Sequence, residues 1–185
     1  MNRHNTILRR DDATFLIVDF QEKIANVMDR RDAVAQEIVR LIQGLRILGV
    51  PILITEQYRK GLGATSPLLT ELLGDIEIIE KMTFSCVGQT KFWEKLRATK
   101  RRQIIVAGIE THICVLQTVL DLLANGYQVH VPISATCSRS DANRDNALHR
   151  MEHAGAILTN TESILFELLV EAGTEEFKQV RQLIL

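Results

Sequence analysis

The sequence predicts an α/β protein: a three-layer α/β/α sandwich with a six-stranded, mainly parallel sheet as its middle layer. Short apolar runs, typical of strands covered on both faces, alternate about six times with segments whose apolar residues recur at helical spacing. Strands that alternate with helices in this way form parallel sheets with right-handed crossovers, and helices then cover both faces of the sheet.

The strands and helices are predicted from these runs and from the residues that end them. The six predicted strands lie within residues 13–18, 51–54, 75–80, 104–107, 127–131 and 154–159. The first long helix begins between residues 29 and 32 and ends at Gly49, a residue type common just beyond a helix end. The remaining predicted helices comprise residues 67–73, 90–98, 113–125, 140–153, 163–172 and 175–184. The third strand is the most polar, so we expect it near a sheet edge.

Length and composition indicate one soluble domain that comprises residues 1–185. The formal net charge of −1 gives no electrostatic reason to expect a nucleic-acid or membrane partner. Cys86, Cys114 and Cys137 have neither the spacing of a zinc site nor the even number of a disulfide framework, which favours a reducing compartment. No apolar run approaches the ~20 residues of a membrane span, so we expect a cytoplasmic protein.

Three chemically active side chains follow predicted strands. Asp19 follows the first strand, Lys81 the third, and Cys114 the fourth, beyond a turn at Gly108. Because the carboxyl ends of parallel strands share one edge of the sheet, where ligands bind, we expect the three groups to meet there. A thiol that attacks a carbonyl carbon, a carboxylate that takes its proton and an ammonium that stabilises negative charge together perform covalent thiol catalysis.

The residues by themselves leave other interpretations open. Cys114 is predicted in the first turn of a helix, where free backbone N–H groups favour a thiolate over a thiol. A cysteine on a buried helix is, however, commonly a small core residue, and Asp19 or Lys81 taken singly fits a cap or a solvated side chain. Cys86 and Cys137 fit packing or a loop thiol.

Three motifs together have the order and spacing of a known family. They are Asp19-Phe20-Gln21, Lys81 followed by Phe84-Ser85, and the stretch from Gly108 to Val115. On these motifs the chain resembles the isochorismatase-like cysteine hydrolases, whose members include nicotinamidases and N-carbamoylsarcosine amidases. The resemblance covers nearly the whole chain, with a weaker match over residues 126–140.

The resemblance implies specific roles. It implies an Asp-Lys-Cys triad at Asp19, Lys81 and Cys114, and a cis peptide bond between Ile109 and Glu110. The amides of Glu110 and Cys114 become the expected oxyanion hole. The implied activity is hydrolysis of a small amide, imide or related C–N substrate through a thioester on Cys114, in a homo-oligomer. The alternative is a non-catalytic oligomeric binding protein with a vestigial pocket.

Differences between this sequence and the motifs of some family members exclude particular reactions and cofactors. Nicotinamidases carry an Asp-x-His metal motif after the second strand, whereas residues 55–59 here read Thr-Glu-Gln-Tyr-Arg. We therefore expect no metal or other cofactor, and we do not expect nicotinamide as the substrate. Isochorismatases that cleave a vinyl ether lack the cysteine, so Cys114 argues against that reaction. The chain is most similar to the metal-free members of the family.

Further side chains are candidates for the pocket or for an interface. Phe20, Gln57, Tyr58 and Phe84 are expected to wall the substrate pocket, with ordinary packing as the alternative. His112 is a weaker candidate for substrate contact because neighbours two apart on a helix do not share a face. His149 and His153 are four apart on a helix but lack a third metal ligand. Residues 164–170, rich in leucine, are a candidate subunit interface.

Overall fold

A computed structural model describes residues 3–185 and shows a seven-stranded sheet between two helical layers. The predicted domain also includes residues 1 and 2, which lie outside the described residues. The strands are β1 Ala13–Val18, β2 Ile52–Gln57, β3 Ile78–Lys81, β4 Gln103–Ile109, β5 Gln128–Pro132, β6 Thr136–Cys137 and β7 Ile157–Thr159. The helices are α1 Glu22–Ala25, α2 Arg31–Ile47, α3 Arg59–Leu62, α4 Pro67–Leu73, α5 Thr90–Ala98, α6 Leu116–Ala124, α7 Asp141–His153, α8 Thr161–Leu169 and α9 Glu175–Gln182.

The predicted three-layer α/β/α fold and its parallel sheet are confirmed. The strand order is β3-β2-β1-β4-β5-β7, and the pairings among these strands are parallel. The short β6 pairs with the end of β4, where Gly108 is opposite Thr136, and brings the sheet to seven strands. β6 has only two residues, too few for an apolar run to reveal it in the sequence.

The sheet is apolar on both faces because β1 and β4 at its centre are buried along their whole length. One face packs against α2, α4, α8 and α9, and the other against α5, α6 and α7. Each face therefore has its own apolar core, as expected for a parallel sheet covered on both sides. The described residues contain no helix that is long and apolar enough to cross a membrane.

The interpretation of residues 164–170 as an exposed leucine-rich interface is wrong for most of the segment. Ile164, Leu165 and Leu168 of α8 are buried in the core below the sheet. Only Phe166 and Val170 present large exposed apolar side chains there. The leucine spacing reflects the face that packs on the sheet, because an amphipathic helix places its apolar stripe toward the core.

The chain turns sharply at the carboxyl edge of β1 and β4. A Cβ atom on Gly108 would lie 2.0 Å from the carbonyl oxygen of Val18, and Gly108 has φ of 121°. Glycine is therefore required for β1 and β4 to approach each other at this level of the sheet. Directly after Val18, Asp19 adopts φ of 48°, in the left-handed region that aspartate tolerates better than most residues.

Candidate active site

The structure brings Asp19 and Lys81 into direct contact at the carboxyl edge of the sheet. Lys81 is the last residue of β3, and its Nζ lies 2.7 Å from Asp19 Oδ2, with both side chains completely buried. Thr55, in β2 between them, donates its hydroxyl to Asp19 Oδ1 at 2.8 Å. The strand order β3-β2-β1 thus places Lys81 and Asp19 at the ends of two strands on either side of β2, which links them through Thr55.

The Lys81 ammonium is surrounded by oxygen atoms. Besides its ion pair with Asp19, it donates to Gln57 Oε1 at 2.7 Å, to the carbonyl of Thr83 at 3.0 Å and to that of Phe84 at 2.9 Å. Burial is the largest effect and lowers the pKa of Lys81, but the Asp19 carboxylate together with Cys86 and Cys114 more than offsets it, so that the pKa is raised. Lys81 is therefore a fixed cation at neutral pH, because its three hydrogens have three acceptors besides the ion pair with Asp19.

Asp19 has one oxygen without a hydrogen-bond donor. Within residues 3–185, Oδ1 accepts from Thr55, whereas Oδ2 makes only the ion-pair contact with Lys81, which lacks hydrogen-bonding angles. Burial raises the pKa of Asp19, and the charge of Lys81 opposes that rise. The site thus holds a desolvated carboxylate with a free acceptor position, the arrangement of a poised proton acceptor.

Cys114 lies in an irregular turn at the start of α6. Residues Thr111–Val115 form a π-helical turn, in which the carbonyl of Glu110 accepts from the amides of Ile113 and Val115. In a regular α-helix that carbonyl would bond to the Cys114 amide. Single π turns are frequent at functional sites because they redirect one residue of a helix.

The thiol of Cys114 is protonated at neutral pH. Burial raises its pKa most, and the nearby charge of Asp19 raises it further, against the opposing effect of Lys81. The expectation that the helix start favours a thiolate is therefore wrong: desolvation and a neighbouring carboxylate outweigh the backbone N–H groups. Attack by this cysteine requires that its proton be removed, and Asp19 is the carboxylate near enough to affect the thiol.

A cavity of about 310 Å³ opens next to Cys114. Its lining residues are Lys23, Ile24, Val27, Gln57, Leu62, Phe84, Ile109, Glu110, Ile113, Cys114 and Arg139. This volume lies at the small end of ligand pockets, and most of the lining side chains are apolar. The cavity therefore suits a small molecule with few polar groups.

A sequence profile described as the isochorismatase domain matches residues 13–163, which include all the groups above. The chain belongs to the isochorismatase family. It is 35% identical over 176 residues to a secreted isochorismatase effector of Phytophthora sojae, covering 93% of this chain and 84% of that protein. Some curated relatives are longer, since the chain spans 60% of the isochorismatase domain-containing protein 1 of Danio rerio, to which it is 35% identical.

Solved structures of the isochorismatase type superpose closely. A Caenorhabditis elegans protein described as MAR1 ribonuclease has a TM-score of 0.90 and 39% identity, over 96% of this chain and 91% of that one. YcaC from Pseudomonas aeruginosa, described with hexane-2,5-diol and covalent acrylamide, has a TM-score of 0.89 and 26% identity, over 97% and 92% of the two chains. The family relationship identifies the chain as an isochorismatase-family hydrolase.

The predicted pocket residues divide into two groups. Gln57 and Phe84 line the cavity, whereas Phe20 is buried in the apolar core and Tyr58 is exposed away from the lining. Phe20 and Tyr58 are thus not in the wall of this cavity, and a contact of either with substrate stays a prediction. Gln57 also spans the site, because its Nε2 donates to the carbonyl of Met82 at 2.9 Å while Oε1 accepts from Lys81.

The Ile109–Glu110 peptide bond is cis, as the family resemblance predicted.

The neighbouring His112 is not part of the cavity wall, since its Nδ1 lies 2.9 Å from Ser138 Oγ. His149 contacts the carbonyl of Asp145 on α7, distant in sequence from the site. Among residues 3–185, no three His, Cys, Asp or Glu side chains are grouped to hold a metal ion.

Polar side chains at the ends of β1 and β2 fix the loop after β2. Glu56 is buried and accepts from the amide and hydroxyl of Thr65, at 2.6 and 2.7 Å. Gln21 bonds to both the amide and the carbonyl of Gln57, and to the carbonyl of Gly63. Glu56 and Gln57, the last residues of β2, are therefore engaged in holding the loop that follows.

Sequence reasoning missed Thr55, Lys23 and Arg139. Thr55 pairs with Val18 across β1 and β2, so its position beside Asp19 follows only from the register of the two strands. Arg139 comes just after β6, at the carboxyl edge where ligands bind, but the two-residue strand gave no apolar signal. Lys23 belongs to α1, which reaches the cavity through the fold of the loop after β1.

Proposed function

We propose that the chain is a cysteine hydrolase that cleaves the C–N bond of a small amide, imide or related substrate through a thioester on Cys114. The observation that carries the proposal is the buried Asp19–Lys81 pair, with a free carboxylate oxygen, beside a protonated thiol at the wall of a small cavity. Family membership supports hydrolysis, and the intact triad supports the thiol route.

The first half of the proposed reaction forms the thioester. Asp19 Oδ2 takes the thiol proton as Cys114 Sγ attacks the carbonyl carbon, and the carbonyl oxygen becomes an oxyanion. The amides of Glu110 and Cys114 receive this oxyanion in the proposal, each donor contributing ~3 kcal/mol in hydrolases studied by mutation. The C–N bond then breaks, and the protonated Asp19 gives its proton to the leaving nitrogen.

The second half restores the enzyme. Asp19 takes a proton from a water molecule that attacks the thioester carbon, the C–S bond breaks, and the sulfur leaves as Cys114 regains its proton from Asp19. Lys81 keeps its proton in both halves and offsets the negative charge of Asp19 and of the sulfur. Its many acceptors suit this role, since a cation that is fixed in place stabilises charge without reorganisation.

The related YcaC structure lends support, since acrylamide is a small electrophilic amide and that protein holds it covalently. A homo-oligomer and a cytoplasmic location remain predictions for this chain. Val27, Met82 and Phe84 leave large apolar surface exposed around the cavity, which is compatible with a contact between copies. The protein called a ribonuclease shares the fold, but we propose a small-molecule substrate because the cavity is small.

The test is a screen of small amides and imides with intact-mass detection of an acyl adduct. We expect slow substrates to leave an adduct on Cys114, and Cys114→Ser to lose both the adduct and turnover. Cys137→Ala is the matched control, because Cys137 is buried away from the cavity lining and its replacement should keep activity. An adduct that forms only on Cys86 or Cys137, or turnover that survives in Cys114→Ser, contradicts the proposal. Release of nucleotides from RNA without any amide turnover would contradict it as well.

A further inference from the structure

Arg139 presents unused hydrogen-bond donors at the mouth of the cavity. It follows β6, and its backbone amide and Nε both donate to Glu110 Oε2, at 3.1 and 3.2 Å. Its side chain is 59% exposed, whereas that of Glu110 is almost completely buried. In the hydrogen-bond network of residues 3–185, its terminal nitrogens Nη1 and Nη2 bond to no acceptor.

The position of this guanidinium is fixed by its neighbours. Glu110 is held by the turn that carries Cys114, and the loop of Arg139 is held by Ser138, which accepts from the amide of His112 and pairs with its ring. A guanidinium that is anchored through Nε leaves the Nη1–Nη2 end free, which is one of the two edges that bind a carboxylate in a bidentate manner. The donor pair is therefore oriented before any ligand arrives.

The charges that line the cavity do not balance. Asp19 and Lys81 lie outside the lining and offset each other. In the lining, Glu110 is a single carboxylate against two cations, Arg139 and Lys23. Within residues 3–185, the Lys23 ammonium bonds only to the neutral carbonyl of Gly61, at 3.0 Å. The cavity thus carries an excess of one positive charge beside mostly apolar walls, which favours an anionic ligand.

We propose that Arg139 is a specificity-determining residue that binds a carboxylate on the substrate, so that the substrate is a small amide bearing a negative charge. The inference rests on the proposed function, because the amide carbonyl must reach Cys114 while the carboxylate lies at the mouth. The anion remains partly in solvent there, since Arg139 is more than half exposed, so its desolvation cost is modest. A neutral amide of the same shape gains no charge-assisted hydrogen bond from Arg139.

The test uses thiol-reactive probes in matched pairs. These are the N-bromoacetyl derivatives of glycine, β-alanine and 4-aminobutyrate, each as the free acid and as the primary amide, so that the charge changes while the shape is kept. The sulfur of Cys114 displaces bromide, forming a C–S bond as the C–Br bond breaks, and the thiol proton passes to Asp19. Rates of Cys114 modification are measured by intact mass and peptide mapping and divided by the rates with glutathione.

We expect at least one acid to modify Cys114 about tenfold faster than its amide after this normalisation. Arg139→Gln should remove that preference while the rate with the amide stays within about threefold, and Arg139→Lys should keep part of it. The charge-matched control is Arg97→Gln on α5, an exposed arginine outside the cavity, which should behave as the unchanged protein. Thermal melting of each variant shows that it is folded.

The outcomes separate this inference from the proposed function. If Cys114 is modified but no acid is preferred, or if the preference survives in Arg139→Gln, the assignment of Arg139 is overturned and the thiol mechanism stands. If no reagent modifies Cys114 while Cys86 or Cys137 reacts, the nucleophile itself is overturned and the role of Arg139 falls with it. Lys23→Gln provides an independent check, and we expect a smaller loss of preference because its ammonium bonds to Gly61.

Discussion

The Lys81 ammonium lies 2.7 Å from the Asp19 carboxylate with both side chains completely buried, so each charge depends on the other for its stability. Removing one partner of a buried ion pair leaves the other charge without compensation, at a cost of about 3–5 kcal/mol. The pair that we propose for catalysis therefore also stabilises the fold at the carboxyl ends of β1 and β3.

Lys81→Met should lower the free energy of unfolding by about 3–5 kcal/mol, measured by urea denaturation. Lys91→Met is the matched control, because Lys91 pairs with Glu77 on the surface with half of its side chain exposed, and its loss should cost under about 1 kcal/mol. The double variant Lys81→Met/Asp19→Asn should recover part of the loss, since no buried carboxylate is left unpaired. Equal losses of unfolding free energy in Lys81→Met and Lys91→Met would show that the buried Asp19–Lys81 pair stabilises the protein no more than a surface pair does.

Gly108→Ala should destabilise the protein and slow the modification of Cys114, because the new Cβ would meet the Val18 carbonyl next to Asp19. Gly155→Ala separates the effect of a steric clash from the effect of a positive φ. Gly155 also has positive φ, 104°, but a Cβ there meets nothing within 4 Å. We expect Gly108→Ala to cost about 1–3 kcal/mol more than Gly155→Ala, the typical effect of overpacking. Similar unfolding free energies for the two variants would show that the close approach of β1 and β4 is relaxed easily.

Stability should fall steeply as the pH rises above about 9. Burial raises the pKa of Cys86 to about 11 and of Cys137 to about 12, and it raises the pKa of Cys114 as well. An unfolded chain ionises its thiols near the ordinary value of 9.0, so between pH 9 and 11 the native state binds more protons than the unfolded state. The free energy of unfolding then decreases with pH, by up to about 4 kcal/mol per pH unit for three thiols.

Urea denaturation under reducing conditions between pH 7 and 10.5 measures this slope. Cys137→Ala should reduce it by about one proton, or 1.4 kcal/mol per pH unit at most. Cys137 suits the comparison because it lies outside the cavity lining. A stability that stays level from pH 9 to 10.5, or a slope unchanged in the variant, would show that the buried thiols do not control alkaline unfolding.

Much of the site could be predicted because strand ends are visible in a sequence. Asp19 and Lys81 each follow or end an apolar run, and parallel strands bring their carboxyl ends to one edge. Phe20 and Tyr58 stand equally close to those ends, yet one lies in the core and the other in solvent. Proximity along the chain does not fix the direction of a side chain, because the turn after each strand decides it: both Asp19 and Tyr58 have positive φ.

The sequence by itself determined the layered α/β fold, the family and the meeting of a carboxylate, an ammonium and a thiol at one sheet edge, because these follow from local apolar periodicity and short motifs. Only the tertiary structure decided that the thiol is protonated, that Asp19 keeps a free oxygen, and that Arg139 offers donors to the cavity. Protonation and ligand preference depend on desolvation and on charges from segments distant in sequence, and the folded chain alone sets those distances.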